Sequence, residues 1–204
     1  MTIASSRKLK SPIKLAAKHI KVIEDFEELL EQGISGLTMA DIAAKLKVSL
    51  RTLYEIAPSK EDLITSQMHR LLTNVGQEAS ASIQEIQSPL SKLKKYIEIG
   101  YKAVGPRLRK FHKDLNRIKG VEKMIDYHRD YFISQIEELL NEAIKHKEIE
   151  DTDTHVVAIT LGVVPVLISD YFFQEDSFQQ ELENTPEDSA HLVADLILAS
   201  LERK

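Results

Sequence analysis

At 204 residues, with 43% hydrophobic and 29% charged side chains, the chain can bury one good core or two unequal ones and reads as an ordinary soluble globular protein. The lack of cysteine excludes disulfides, thiolate metal sites and cysteine nucleophiles, and the scarcity of Gly (7) and Pro (6) disfavours a turn-rich all-β architecture. The net charge of −5 conceals an asymmetry, since residues 1–60 carry ten Lys/Arg against seven Asp/Glu while the remainder carries 17 against 25; a basic end on an acidic body suits a protein that meets a polyanion at one end, although a solvated basic tail fits the charge equally well.

Residues 1–11 are expected to form a flexible basic tail, with no apolar stretch of signal-peptide length, so a cytoplasmic protein is expected. From Pro12 a helix reads through to Gln32, with Ala16, Ile20, Ile23, Phe26 and Leu30 at helical spacing. Gly33 follows as its left-handed terminator. Thr38 caps a second helix, with Asp41 three residues on as the reciprocal partner. Met39, Ile42, Ala43 and Leu46 supply its apolar stripe. Lys47-Val48 form a tight connection, Ser49 caps a short third helix through Leu53, Tyr54 and Ile56, and Pro58 ends it. Ser59 with Asp62 repeats the capping pattern and opens a long fourth helix that reaches the Ser80s. A DNA-binding domain is therefore expected over 12–60 and a second, helical domain over 61–204.

After Ser88-Pro89, helical periodicity returns through Tyr96, Ile99 and Tyr101, and Gly105-Pro106 is expected to break it. A basic amphipathic piece follows from Arg107 to Lys119. A long helix is expected from about Val121 to His146, and a nearly all-apolar one from Thr154 to Phe173. Residues 174–188 hold six acidic and no basic groups and read as a loop, before Pro186 opens a last helix ending near Leu201. The most apolar run, Val156 to Phe173, is interrupted by Pro165 and Asp170 and falls short of the roughly 20 residues that a membrane span needs. A buried helix is the better reading, and no membrane partner is expected. No segment alternates as a strand does, so the expected fold is all-α.

Three short helices and a long one, with a tight turn between the second and third, describe a helix-turn-helix. The third helix is short enough to enter a major groove end-on, presenting its first residues to base edges. Arg51 suits a bidentate contact to guanine, and Thr52 a base edge or a thymine methyl. Tyr54 carries a hydroxyl on an aromatic lever, suited to a phosphate oxygen. Thr38 and Lys60 stand at the starts of the second and fourth helices, where backbone N–H groups and the helix dipole favour phosphate. These two starts are expected to clamp the two sides of the groove. Plainer alternatives stand beside each assignment. Thr38 is a helix cap in any case, Tyr54 can pack on the first helix, and Arg51 and Lys60 can be solvated surface charges.

The stretch Leu37-Thr38-Met39-Ala40-Asp41-Ile42-Ala43, continued by Val48-Ser49, Thr52-Leu53-Tyr54 and Ser59-Lys60-Glu61-Asp62-Leu63, resembles the tetracycline-repressor (TetR/AcrR) family. The likeness runs from Ile20 to Ile64. It implies that Ser49, Leu50, Arg51 and Thr52 match the base-reading positions, and that Thr38, Tyr54 and Lys60 match the backbone-contacting ones. Two departures stand out: the turn position usually held by glycine is Lys47, and Ile56-Ala57 replaces a His-Phe pair.

The same resemblance implies a C-terminal domain that binds an effector and dimerises through a four-helix interface of the last two helices. Ala158 and Gly162, four apart, would admit a close partner helix, with Val166, Leu192 and Leu196 beside them; intrachain core is the alternative. Tyr96, Tyr101, Phe111, Met124, Tyr127, His128 and Tyr131 are the candidate walls of an effector pocket, against the plainer reading as core. The seven histidines show no paired ligand spacing, and there is no Gly-rich phosphate loop, HExxH or Ser elbow. No metal, cofactor or catalytic activity is expected. The expected function is a DNA-binding transcriptional regulator, a repressor binding a palindromic operator in double-stranded DNA as a homodimer and released by a small-molecule effector of unspecified identity. The alternative is a helix-turn-helix-fold interaction protein whose main partner is another protein.

Overall fold

The computed structural model describes residues 17–34, 36–115, 118, 121–174 and 185–203; the expected tail over 1–11 lies outside them. Among the described residues every regular element is an α-helix: α1 (Ala17–Gln32), α2 (Met39–Lys45), α3 (Leu50–Ile56), α4 (Lys60–Ser82), α5 (Pro89–Leu115), α6 (Val121–Lys145), α7 (Thr154–Gln174) and α8 (Pro186–Leu201). The fold is all-α, with the helix-turn-helix at the N-terminal side. Two compact units meet at Ser66/Gln67, inside α4.

In the first unit α1 buries Val22, Ile23, Phe26, Leu29 and Leu30, one stripe at three- and four-residue spacing. Ile20, expected on that stripe, is 41% exposed, and His19 takes the inner position instead. Gly33 sits at φ +92°, a conformation glycine adopts without steric cost, and ends α1 as its composition predicts. Ile34, Ile42, Ala43, Leu53, Ile56, Ala57, Leu63 and Ile64 complete the buried apolar set.

In the second unit α5, α6, α7 and α8 share a core around Tyr96, Ile97, Ile136, Leu140 and Leu161. Two glycines set how closely these helices approach. A Cβ on Gly100 would lie 2.6 Å from the Phe132 ring of α6, and one on Gly162 would overlap Ile133 Cγ1. Gly162 and Ala158 are thus buried against their own chain, which corrects the expectation that they serve a partner helix. Small residues there admit α6 rather than a second copy. The side chain of Val166 lies outside the described residues.

Pro165 inside α7 has no N–H, so the Leu161 carbonyl four residues back loses its helical donor. The buried Tyr101 hydroxyl of α5 donates to that same carbonyl. Burial pushes the Tyr101 hydroxyl well above its ordinary pKa, which keeps it a neutral donor. Tyr96 is buried beside it and stacks on Phe132 with ring centroids 5.3 Å apart. Both tyrosines, expected to line an effector pocket, are core.

Gly105-Pro106 does not break the chain as expected: α5 continues through it to Leu115. Pro106 removes a single N–H, a loss that a 27-residue helix carries. α6 ends with Lys147 at φ 60°, while Lys147 N–H reaches Ile144 O at 2.9 Å and Glu148 N–H reaches Ala143 O at 2.9 Å. Those two bonds make a Schellman cap. Glu148 then accepts from the Ser88 hydroxyl (2.9 Å) and the Leu90 N–H (2.7 Å), so it caps the start of α5 across the unit. No helix of the described residues is long and apolar enough to cross a membrane.

The overlap at Gly162 makes a direct prediction. Gly162→Ala should destabilise the protein by about 1–3 kcal/mol through overpacking, read as a lower Tm. Gly36→Ala, where an added Cβ meets nothing within 4 Å, is the control and should leave Tm nearly unchanged.

Candidate nucleic-acid interface

α3 is held by a cap at its start and by two buried side chains. Ser49 caps it, its hydroxyl accepting from Thr52 N–H at 3.0 Å and lying 2.7 Å from the Thr52 hydroxyl. Leu53 and Ile56 are buried beneath it, with Ala57 following. The opposite face is left outward: Leu50 is 39% and Tyr54 52% exposed, and Arg51 and Glu55 are exposed beside them. Tyr54 thus leaves about half of its surface to solvent. An exposed aromatic and an exposed leucine on one short helix are the kind of surface that marks a binding face.

The turn before α3 is a second Schellman cap. Lys47 N–H bonds to Ala44 O (3.2 Å) and Val48 N–H to Ala43 O (3.0 Å), with Lys47 at φ 55°. The left-handed conformation expected at this non-glycine position is present. α2 begins with the full capping box: Thr38 Oγ accepts from Asp41 N–H at 3.2 Å, and Asp41 accepts from the Thr38 N–H at 2.9 Å and its hydroxyl at 2.6 Å. Those bonds, first from the Thr38 side chain and then from its backbone, hold the Asp41 carboxyl below its ordinary pKa.

Lys60, the first residue of α4, turns its ammonium onto the α1–α2 loop. It donates to Ile34 O at 2.7 Å and to Leu37 O at 2.8 Å. Leu37 immediately precedes Thr38, so the starts of α2 and α4 stand side by side. Ser59 and Asp62 cap α4 as read, with Asp62 N–H to Ser59 Oγ at 3.0 Å and the Ser59 hydroxyl to Asp62 at 2.7 Å.

Sequence reasoning passed over Glu55. Its carboxylate is 3.3 Å from Arg51 Nε and 3.6 Å from His19 Nε2 of α1. Its spacing of four from Arg51 is the signal that marks such a pair on a helix.

The expected effector residues differ in their exposure. Tyr96 and Tyr101 are core, Met124 is buried, and the side chain of Phe111 lies outside the described residues. Tyr127 (53% exposed) and Tyr131 (46% exposed) stand on the outer edge of α6. Between them His128 Nε2 lies 2.8 Å from His69 Nδ1 of α4. Burial, and then the neighbouring His69, hold His128 at about 4, so it is neutral at pH 7. Elsewhere a groove of about 850 Å³ opens between α5 and α8, edged by Lys94, Lys95, Lys102, Asp188, His191 and Asp195. The described residues hold no group of three His, Asp or Glu placed to bind a metal ion.

Relief of the strained turn is testable. Lys47→Gly should remove a left-handed non-glycine cost of roughly 1–2 kcal/mol and lose part of it to unfolded-chain entropy, a net gain of about 0.5–1 kcal/mol. A denaturation midpoint that falls instead would show that the Lys47 side chain, not its backbone, matters there.

Residues 26–66 match the family model described as bacterial regulatory proteins, tetR family. No curated protein matches the chain. Among solved structures, a transcriptional regulator from Cytophaga hutchinsonii superposes with a TM-score of 0.76 at 15% identity, covering 92% of this chain and all of that one. The fatty acid degradation regulator FadR from Bacillus halodurans superposes at 0.71 with 17% identity, covering 93% of this chain and 100% of its own. AibR, solved with isovaleryl coenzyme A and operator DNA, gives 0.59 at 18% identity over 91% of this chain and 98% of its own. These likenesses establish the fold, and residues 26–66 carry the helix-turn-helix that the tetR family model describes.

Proposed function

We propose that the protein is a cytoplasmic, homodimeric repressor that reads a palindromic operator through α3 and leaves it when a small molecule binds. The observation that carries this is the outward face of α3, where Leu50, Arg51 and Tyr54 are exposed above a buried Leu53 and Ile56. In this reading Ser49, Leu50, Arg51 and Thr52 meet base edges, with Arg51 paired to guanine O6 and N7. The Tyr54 hydroxyl takes a phosphate. At the paired starts of α2 and α4, first-turn N–H groups lack helical acceptors and attract a second phosphate. Thr38 and Lys60 shape that corner, Lys60 first by tying the α1–α2 loop in place.

Reading a palindrome requires two copies whose recognition helices lie about 34–36 Å apart. α7 and α8 supply the surface for that pairing. α7 buries Ala158 and Leu161 on one side and leaves Val156, Ile159 and Leu167 exposed on the other. α8 buries Ala190, Ala194 and Leu198 and leaves Leu192 and Leu196 exposed. Large apolar side chains exposed in such stripes favour association with a like surface. The effector is proposed to meet Tyr127, His128 and Tyr131 at the seam of α6 with α4, where Tyr131 lies over Gly76 and Tyr127 beside His69. That helix begins at Lys60, so a ligand lodged at the seam acts on an element of the DNA-binding unit. AibR, solved with both a coenzyme A thioester and operator DNA, shows a protein of this fold handling both kinds of partner.

Selection from random duplexes should enrich a palindrome, and Arg51→Ala should then lose preference at one base per half-site by about 1–3 kcal/mol. No enrichment at low salt would instead favour a protein partner as the main target. Self-association has its own assay. Leu192→Asp combined with Leu196→Asp should sediment as a monomer and bind the operator at least tenfold more weakly, since each half-site alone supplies only part of the affinity. A dimer that persists in that variant would overturn the assigned interface.

A further inference from the structure

Arg51 is a long, exposed side chain, and ordering such a side chain is part of the cost of binding. Its guanidinium offers two hydrogen-bonding edges, one containing Nε and one formed by the two terminal nitrogens. In the free protein the first edge is already engaged, with Glu55 Oε1 3.3 Å from Nε. The other carboxylate oxygen, Oε2, lies 3.6 Å from Nε2 of His19, a side chain largely buried on α1. Glu55 thus holds the guanidinium by Nε, with its other oxygen facing the first helix beyond hydrogen-bond range of His19. An exposed pair of this kind adds little to stability. It also places a negative charge on the face that approaches phosphates, which weakens sequence-independent attraction. Neither property favours a carboxylate at this position unless it does something for Arg51.

We infer that Glu55 is a specificity-positioning residue, holding Arg51 by Nε so that its two terminal nitrogens are presented together to a guanine edge. This rests on the base-reading role proposed for Arg51. Glu55 itself touches no base. It fixes which edge of the guanidinium faces outward, and the pair strengthens as water leaves the interface. Removing the carboxylate frees Arg51 to reach a phosphate instead, as any unconstrained cation does.

Glu55→Gln keeps the shape and removes the charge at a half-exposed site, so the fold should stand. The measurement is the affinity for the selected operator, for the operator with the Arg51-contacted guanine replaced, and for an unrelated duplex, each at two salt concentrations. Affinity for the unrelated duplex should rise and its salt dependence steepen, while discrimination at that guanine falls by about fivefold or more, a sizeable share of what a bidentate contact supplies. A merely structural role would lower both affinities together. In an Arg51→Ala background, Glu55→Gln should leave discrimination unchanged. If Glu55→Gln alone preserves discrimination while Arg51→Ala abolishes it, the inference about Glu55 is overturned and the role of Arg51 stands. If Arg51→Ala preserves discrimination, both fall.

Discussion

α3 has seven residues, about half the length at which an isolated helix becomes even marginally stable in water. Whatever it does to DNA, it does as a guest of the elements around it. Leu53 and Ile56 supply the anchorage, Ser49 closes its first turn, and the Schellman bonds across Lys47 fix the angle at which it leaves α2. A short helix held from one side presents the whole opposite face, and that face is where Arg51 and Tyr54 stand. The strain at Lys47 is modest beside what it secures. A glycine there would relax the backbone, and also enlarge the unfolded ensemble that folding must overcome.

The second unit solves a related problem of close approach by removing side-chain atoms. Gly100 and Gly162 let α5 and α7 press against α6, where Phe132 and Ile133 fill the space that two Cβ atoms would need. The proline in α7 would leave a buried carbonyl bare, and an unsatisfied group there costs about 1–3 kcal/mol. The Tyr101 hydroxyl answers it from α5. Because these contacts occupy the inner side of α7, its apolar residues on the other side have nothing left to cover within the described chain. A helix that is apolar all round is a sign of two packing partners. Within the described chain α7 packs on α6, α8 and α5, and Val156, Ile159 and Leu167 stay exposed.

Local chemistry was legible in the residues; distant pairing was not. Thr38 with Asp41, Ser59 with Asp62 and the terminator Gly33 act over three residues or fewer, so spacing alone reveals them. The left-handed turn at Lys47 was legible only through the resemblance, which puts glycine at that position. Ala158 and Gly162 announced a close approach without naming what approaches, because a small residue carries no address. Tyr101 looked like a pocket aromatic because its partner carbonyl lies 60 residues away. Lys60 looked like a free cation because the carbonyls it binds are 23 and 26 residues back. Gly105-Pro106 looked like a break because propensity ignores length, and a long helix tolerates one missing bond.

Charge divides the work within the DNA-binding unit. Residues 24–60 hold four basic groups against seven acidic ones, whereas residues 1–23 hold six basic and no acidic groups. The module that carries the reading helix is therefore not itself a strong polycation. Asp41 and Asp62 already serve the two helix starts, and Glu55 shadows Arg51. Under the proposed function, attraction to any duplex, which grows with the number of phosphates neutralised, draws on the six basic groups of the first 23 residues. Arg51 is the one basic residue of α3, so the proposed discrimination draws on it. On that proposal an acidic reading module gives up indiscriminate affinity and keeps the energy that depends on sequence. For a protein that must find one site among very many, that ratio matters more than the affinity alone.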